Sequence, residues 1–551
     1  MTAKHLILTT ALVLPLAACS ADPGVSARAA PPAPVAAAEP TAALAALVAA
    51  VDVPYQRFTL PNGLTTLVHT DRKAPIVGVS VWYGVGSKHE PKGKTGFAHL
   101  FEHLMFGGSE NVPNFDIPLE GAGSTPTNGS TWLDRTNYVE TVPKGAVDLA
   151  LFMESDRMGH LLGAVTQEKL DQQRSVVQNE KRQGDNNPFG IAEYEFSDAL
   201  YPVGHPYRHS TIGSMADLEA ASLDDVKQWF RDNYGPNNAV LVLAGDIDLA
   251  TAQEKVTRWF GDIPRGRAVP AVDAPVPTLP ARVNKVIRDQ VATTRLYRAW
   301  AAPGLNDADM VPLQVGMYVL GGLASSRLDT ALVRKEQLAV SVSAYQLPFA
   351  QGSLVQSFVD VKPGVDAAAA EARYEALLAD YIANGPTADE LARATASLVS
   401  SQIGALEEVG GFGGKGGVLA EGLLYSGDPE KYKADLAAMA RLTPADVTAA
   451  MQRWLTRPVF ALTVEPGERT EGGETRGGWE RQAGDRAGSP RIGYYRAPDA
   501  ATTGGEPAMV APGAADGRDK MVKAEPATAR AFPPVDPVGA FDFPAIERAT
   551  L

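Results

Sequence analysis

The chain has 551 residues, 45% of them hydrophobic, which is material for two or more packed domains. Its net charge of −14 offers no basic footprint for a phosphate backbone, and this excludes nucleic acid as a partner. Beyond the N-terminal segment, no apolar run is long enough to span a bilayer.

Residues 1–19 read as a signal peptide: Lys4 and His5 precede LILTTALVLPLAA, too short for a stable span, which runs into Leu16-Ala17-Ala18-Cys19. That tetrapeptide resembles a bacterial lipobox, with Cys19 as the lipidated residue and a lipid anchor as the sole membrane attachment. Cys19 is the one cysteine in the chain, so no intramolecular disulfide can form. Ser20 in the following position points to the outer membrane of a bacterial cell envelope, facing the periplasm. Residues 20–52 are rich in Ala and Pro and read as a tether.

The first domain is expected over residues 53–265. QRFTLPNGLTTLVHTD alternates around Asn62-Gly63, a two-residue hairpin signal, and VGVSVWYGVGS follows as a strand. FAHLFEHLMF then reads as a helix carrying His99, Glu102 and His103. Residues four apart share a helical face, so both imidazoles can reach one metal ion. Two neutral imidazoles suit Zn²⁺, which needs a third ligand and an open position for water. Zinc lowers the pKa of its water to about 7, and Glu102 is the candidate base that takes the proton.

The H-x-x-E-H arrangement is that of the inverted zincins. On it the segment resembles the pitrilysin/insulinase family of metallopeptidases, which has bacterial lipoprotein members and includes the mitochondrial processing peptidase with its beta subunit. The resemblance implies a third zinc ligand at Glu180: residues 104–179 intervene after His103, the family's spacing, and Glu180 lies in a helical-looking stretch. It implies one zinc ion per chain. Many relatives carry a second glutamate two turns earlier, where this chain has Gln173. GAGSTPTNGSTWLDRTNY is similar to the family's substrate-accepting edge strand, with Asn128 at the position near the scissile bond. An unpaired strand edge accepts an extended peptide through its backbone groups. All eight histidines lie at or before His209, so a multi-histidine site belongs to the first half; His69, His89, His160, His205 and His209 read as surface or packing residues.

A repeat marks the second domain. SLDDVKQWFRDNYGPNNAVLVLAGDID and TPADVTAAMQRWLTRPVFALTVEPG share a capped helix, a proline and an apolar strand, with Ser222 and Thr443 as N-caps. This places a Pro-rich linker at 266–282 and a second, homologous domain without a metal site at 283–467. The fold class is α+β: each domain is a mostly antiparallel sheet packed with helices, and the resemblance makes the two together half of a clamshell. Relatives carry an Arg and a Tyr that hold substrate carbonyls in a second-domain signature similar to LGGLASSRLDTALVRKEQLAVSVSA; here Val333 and Val340 stand at those places. VGGFGGKGGV fails as a phosphate loop, since Val409 and Gly416 occupy its key positions, and reads as a hinge or substrate contact. Residues 468–540 read as a low-complexity connector. Residues 541–551 end in Glu547-Arg548-Ala549-Thr550-Leu551, an echo of Gln56-Arg57-Phe58-Thr59-Leu60 that suggests the start of a further domain copy.

The expected function is that of a zinc-dependent endopeptidase acting on peptides or unfolded segments. Without the Arg/Tyr pair it needs a homologous partner subunit, or a missing C-terminal half, to complete its chamber. The alternatives are a catalytically silent subunit of the same fold and a lipoprotein that binds peptides without cutting them.

Overall fold

The computed structural model describes residues 40–470 and 530–537. The expected signal peptide, Cys19 and the echo at 541–551 lie outside the described residues.

The first domain opens with a hairpin of β1 (Gln56–Thr59) and β2 (Thr65–Thr70). Gly63 takes φ +97°, while Asn62 Oδ1 accepts from Leu64 N–H and its Nδ2 donates to the Phe260 and Ile263 carbonyls. The turn is therefore also tied to the end of a distant helix. β3 (Ile76–Tyr83), β4 (Asn128–Thr131), β5 (Thr136–Pro143) and β6 (Ala239–Gly245) complete a six-stranded sheet of order β1-β2-β6-β3-β5-β4. A separate helix, α1 (Pro40–Ala49), precedes the sheet. The domain's own helices are α2 (Phe97–Phe106), α3 (Asp116–Gly121), α4 (Val147–Gly159), α5 (Gln167–Asn186), α6 (Ala192–Leu200), α7 (Met215–Glu219), α8 (Leu223–Asn233) and α9 (Leu249–Phe260).

The second domain repeats this plan. β7 (Val283–Asp289), β8 (Arg295–Pro303), β9 (Ala339–Pro348), β10 (Gly352–Val361) and β11 (Phe460–Pro466) form a sheet of order β7-β11-β8-β10-β9. Its helices include α10 (Met310–Met317), α11 (Ala367–Asn384), α12 (Ala388–Ala405), α13 (Lys415–Ser426), α14 (Lys431–Arg441) and α15 (Pro444–Leu455). The repeat read from sequence appears in space. β6 runs parallel to β2 and antiparallel to β3, as β11 does to β7 and β8. The helices that precede them, α8 and α15, both start in complete capping boxes, Ser222/Asp225 and Thr443/Asp446.

The domains cover each other's sheets. On β2, β3 and β6 the residues Val68, Val81 and Leu241 face the domain's own helices. Their neighbours Leu67, Trp82, Val240 and Val242 face Leu419 and Ala420 of α13. In return, Ala192, Phe196 and Leu200 of α6 pack on Tyr297, Phe460 and Leu462 of the second sheet. With both faces buried, these strands are nearly continuous apolar runs.

Two stretches differ from their sequence reading. The tether expected at 20–52 contains α1, whose Val48 is buried in the second domain's core with Leu44 packed beside it, because an Ala/Leu-rich run has high helix propensity and a face to bury. The connector expected at 468–540 includes residues 530–537, which lie on the first domain through Arg530 and Phe532. Among the described residues, no helix is long and apolar enough to cross a membrane.

Candidate metal centre

The centre is carried by α2 and α5, which pack together, and is roofed by the edge strand β4. α2 starts at Gly96, which sits at φ +86° with no side chain to cap the helix. Glu90 does this instead: it is fully buried, and its carboxylate accepts from Gly96 N–H at 2.9 Å and Ala98 N–H at 2.7 Å. A carboxylate there satisfies orphan amides and complements the helix dipole. A Cβ at Gly96 would come within 2.7 Å of the Ile212 carbonyl, so this start requires glycine on two counts.

His99, His103 and Glu180 come together. The two Nε2 atoms lie 3.3 Å apart, and Glu180 Oε2 is 3.7 Å from His99 Nε2 and 3.4 Å from His103 Nε2. A tetrahedral zinc with nitrogen ligands at about 2.0–2.1 Å spaces its donors about 3.3–3.4 Å apart. The three residues therefore fit three positions around one such ion. Among the described residues, no other histidine, cysteine or carboxylate joins the group.

Burial, with His103 adding to it, lowers the pKa of His99 to about 4, so this ring is neutral at physiological pH, the form a metal ion would require. Burial also acts on His103, but the Glu180 and Glu102 carboxylates outweigh it and raise its pKa. The His103 hydrogen bond lowers that of Glu180. Gln173, two turns before Glu180 on α5, also helps to raise the His103 pKa, so the residue standing where relatives have a glutamate still acts on the centre. His99 Nδ1 is buried without a protein partner among the described residues.

Glu102 is 8% exposed, and burial raises its pKa. Thr131 Oγ1 donates to its Oε2 at 2.6 Å, which leaves Oε1 as the oxygen open to a proton. Gly129, two residues earlier on the same face of β4, lies so close that a Cβ would come 3.0 Å from Oε1 and 2.8 Å from the Phe106 ring. Sequence reading missed Glu90, Thr131 and Gly129. The period of two along β4 is the signal that links Thr131 to Gly129.

Asn128 is exposed at the start of β4, on the sheet's outer edge, and its Oδ1 accepts from Gly129 N–H. The remaining histidines stand apart from the centre; His69, His205 and His209 are buried packing residues. The glycine-rich loop lies against the first domain, where Gly410 meets Gly78 of β3 and Thr141 of β5 and Lys415 pairs with Asp71. Val333 packs on the second domain's core, and Val340 is 48% exposed on β9.

Two repeated α+β domains, one bearing an inverted two-histidine helix with a glutamate on a second helix, define the class of zincin-type metallopeptidases. The chain belongs to the M16 peptidase family. The family profile described as "Insulinase (Peptidase family M16)" matches residues 65–204, and the one described as "Peptidase M16 inactive domain" matches residues 220–398. The zinc protease PqqE of Helicobacter pylori is 30% identical over 331 residues, 59% of this chain and 74% of the relative. The mitochondrial-processing peptidase subunit beta of Blastocladiella emersonii is 25% identical, over 56% of this chain and 67% of the relative. A solved protease from Helicobacter pylori superposes with a TM-score of 0.70 at 25% identity, covering 75% of this chain and all of that one. The fold is also that of the periplasmic protease PqqL from Escherichia coli, with a TM-score of 0.62 at 17% identity over 76% of this chain and 48% of that one.

Proposed function

We propose that the chain is a zinc-dependent endopeptidase that hydrolyses peptides or unfolded segments, with His99, His103 and Glu180 as ligands of one zinc ion and Glu102 as general acid–base. The observation that carries this reading is the convergence of three ligand atoms beside a carboxylate held by Thr131 through one oxygen only. Zinc, when bound there, supplies Lewis acidity. Glu102 takes the proton of the attacking water at Oε1 and passes it to the leaving amine, while Thr131 keeps the carboxylate from turning away. β4, with Asn128 at its start, offers its outer edge to an extended substrate, which is then read by backbone and shape.

A homologous partner half completes the chamber in this reading. Its support is the valines at 333 and 340 and a fold that spans 48% of the PqqL chain. Cys19 is proposed as the lipid anchor that holds the protein at the bacterial outer membrane, facing the periplasm.

The test is hydrolysis of a quenched fluorescent peptide, with and without chelator, beside Glu102→Gln, together with zinc analysis. Metal-dependent turnover lost in the variant is expected, from the chain alone or with its partner half. One bound zinc with no turnover under either condition would replace this reading with a silent subunit.

A further inference from the structure

Asp156, near the end of α4, is fully buried and collects donors from the loop that follows the metal helix: Ser109 Oγ, Asn111 N–H and Asn111 Nδ2. None of these is a cation. Among the described residues its one ion-pair partner is Arg530, whose Nη1 lies 3.1 Å from Oδ1. Both terminal nitrogens of the guanidinium are held. Nη2 donates to Ser155 Oγ at 3.0 Å and to the Trp259 carbonyl at 3.2 Å, and the plane sits beside the Phe152 and Trp259 rings. The Arg530 N–H donates to Asn111 Oδ1.

The next residues continue the contact. The Phe532 ring packs 5.1 Å from Phe152. Pro533 and Pro534 stiffen the chain, and Asp536 N–H then donates to the Gly145 carbonyl at 3.0 Å. A Cβ on Gly145 would stand 2.0 Å from the Asp536 carbonyl oxygen, so the body is shaped for this approach.

We propose that the zinc-bearing domain has a second peptide-binding site, formed by α4, the end of α9 and the Ser109–Asn111 loop, that takes an Arg-x-Phe-Pro-Pro segment and is filled by residues 530–537 of the same chain. A buried carboxylate, a hydroxyl and a carbonyl around one planar cation select arginine over lysine, because only the guanidinium presents several donors in one plane. The half-exposed Phe532 adds its ring contact with Phe152, and the prolines lower the conformational cost of holding the segment. The site shares no residue with the metal centre, and its loop begins just beyond the end of α2.

The test uses the full chain. Arg530→Ala with Phe532→Ala vacates the site without altering the body, and a labelled peptide of residues 529–538 is then titrated. The vacated chain is expected to bind it with a Kd of about 10–100 μM, as befits one short anchored segment. The wild-type chain should bind at least about tenfold more weakly, since its own segment competes at an effective concentration of about millimolar. A peptide with Lys for Arg530 should lose about tenfold. Absence of binding to the vacated chain, equal binding by wild type, or an equally good lysine peptide would each overturn the proposal. Amide exchange is the second measurement: Asp536 N–H should be protected in wild type and exposed in the double variant, and equal exchange in both would also overturn it.

Discussion

Glu90→Ala probes how the metal helix is held. The Glu90 carboxylate accepts from Gly96 N–H and Ala98 N–H, and both bonds are buried. Alanine leaves two orphan amides at the start of α2 with no water to replace the lost acceptor. Each buried unsatisfied donor costs about 1–3 kcal/mol, so the expected loss is on the order of 2–6 kcal/mol. Glu90→Gln keeps the shape and one acceptor oxygen but turns an amide N–H toward the second donor, and should cost about 1–3 kcal/mol. Because His99 lies three residues into the helix, the loss should also loosen the ligand set. Urea unfolding of both variants at neutral pH gives the stabilities, and competition with a colorimetric zinc chelator gives metal affinity. An alanine variant within about 0.5 kcal/mol of wild type, below any of these costs, would show that Glu90 does not cap α2.

Three further outcomes are expected. Thr131→Val should lower kcat about 10- to 100-fold with KM within about twofold and zinc content unchanged, as loss of a hydrogen bond to a charged group costs about 1.5–3 kcal/mol, and Thr131→Ser should restore it; equal kcat in the valine variant would remove Thr131 from the mechanism. Gly129→Ala should press on Phe106 and Glu102, with overpacking of about 1–3 kcal/mol and a matching fall in turnover; full activity would show that β4 can retreat. In the second domain, burial opposes the ionised form of Glu390, but the Arg327 guanidinium and the Thr387 donors outweigh it and hold its pKa at about 2. Its contribution is therefore complete above its ordinary value and is lost as pH falls from about 5 toward 2, so the difference between wild type and Glu390→Gln, on the order of 1–2 kcal/mol at pH 7 after solvent screening, should shrink over that window; a difference independent of pH would refute the pairing.

What was legible in the sequence is what local rules determine. The Asn62-Gly63 turn, the spacing of His99 and His103 on one helix and the two capped repeats each depend on neighbours within a few residues. Glu180 needed the family's spacing, because nothing local marks it among the carboxylates of α5, Glu168, Asp171, Glu180 and Asp185. Glu90 was invisible for a different reason: its role depends on a loop folding back to meet a helix start several residues later. Thr131 reaches Glu102 across 29 positions. The Arg530–Asp156 pair spans 374, and composition alone made its segment look like a connector. Propensity carries no information about which distant surface a short run will find.

The reciprocal covering of the sheets gives the second domain a physical task, although it holds no histidine. The strands β2, β3 and β6 present Leu67, Trp82, Val240 and Val242 to α13, and their opposite face supports the helices of the metal-bearing domain. Removing the second domain would uncover that apolar face, at about 1.5–3 kcal/mol for each large side chain, in sum comparable to the whole stability of a small domain. The same holds in reverse, since α6, which follows α5 and its candidate ligand Glu180, is seated on Tyr297, Phe460 and Leu462 of the second sheet. The position of Glu180 against the α2 histidines is thus fixed from both ends of the α5–α6 segment: by the α2 contact on one side, and by the second domain's sheet on the other. A domain with no residue in the candidate centre can in this way set the geometry of the three side chains proposed as its ligands.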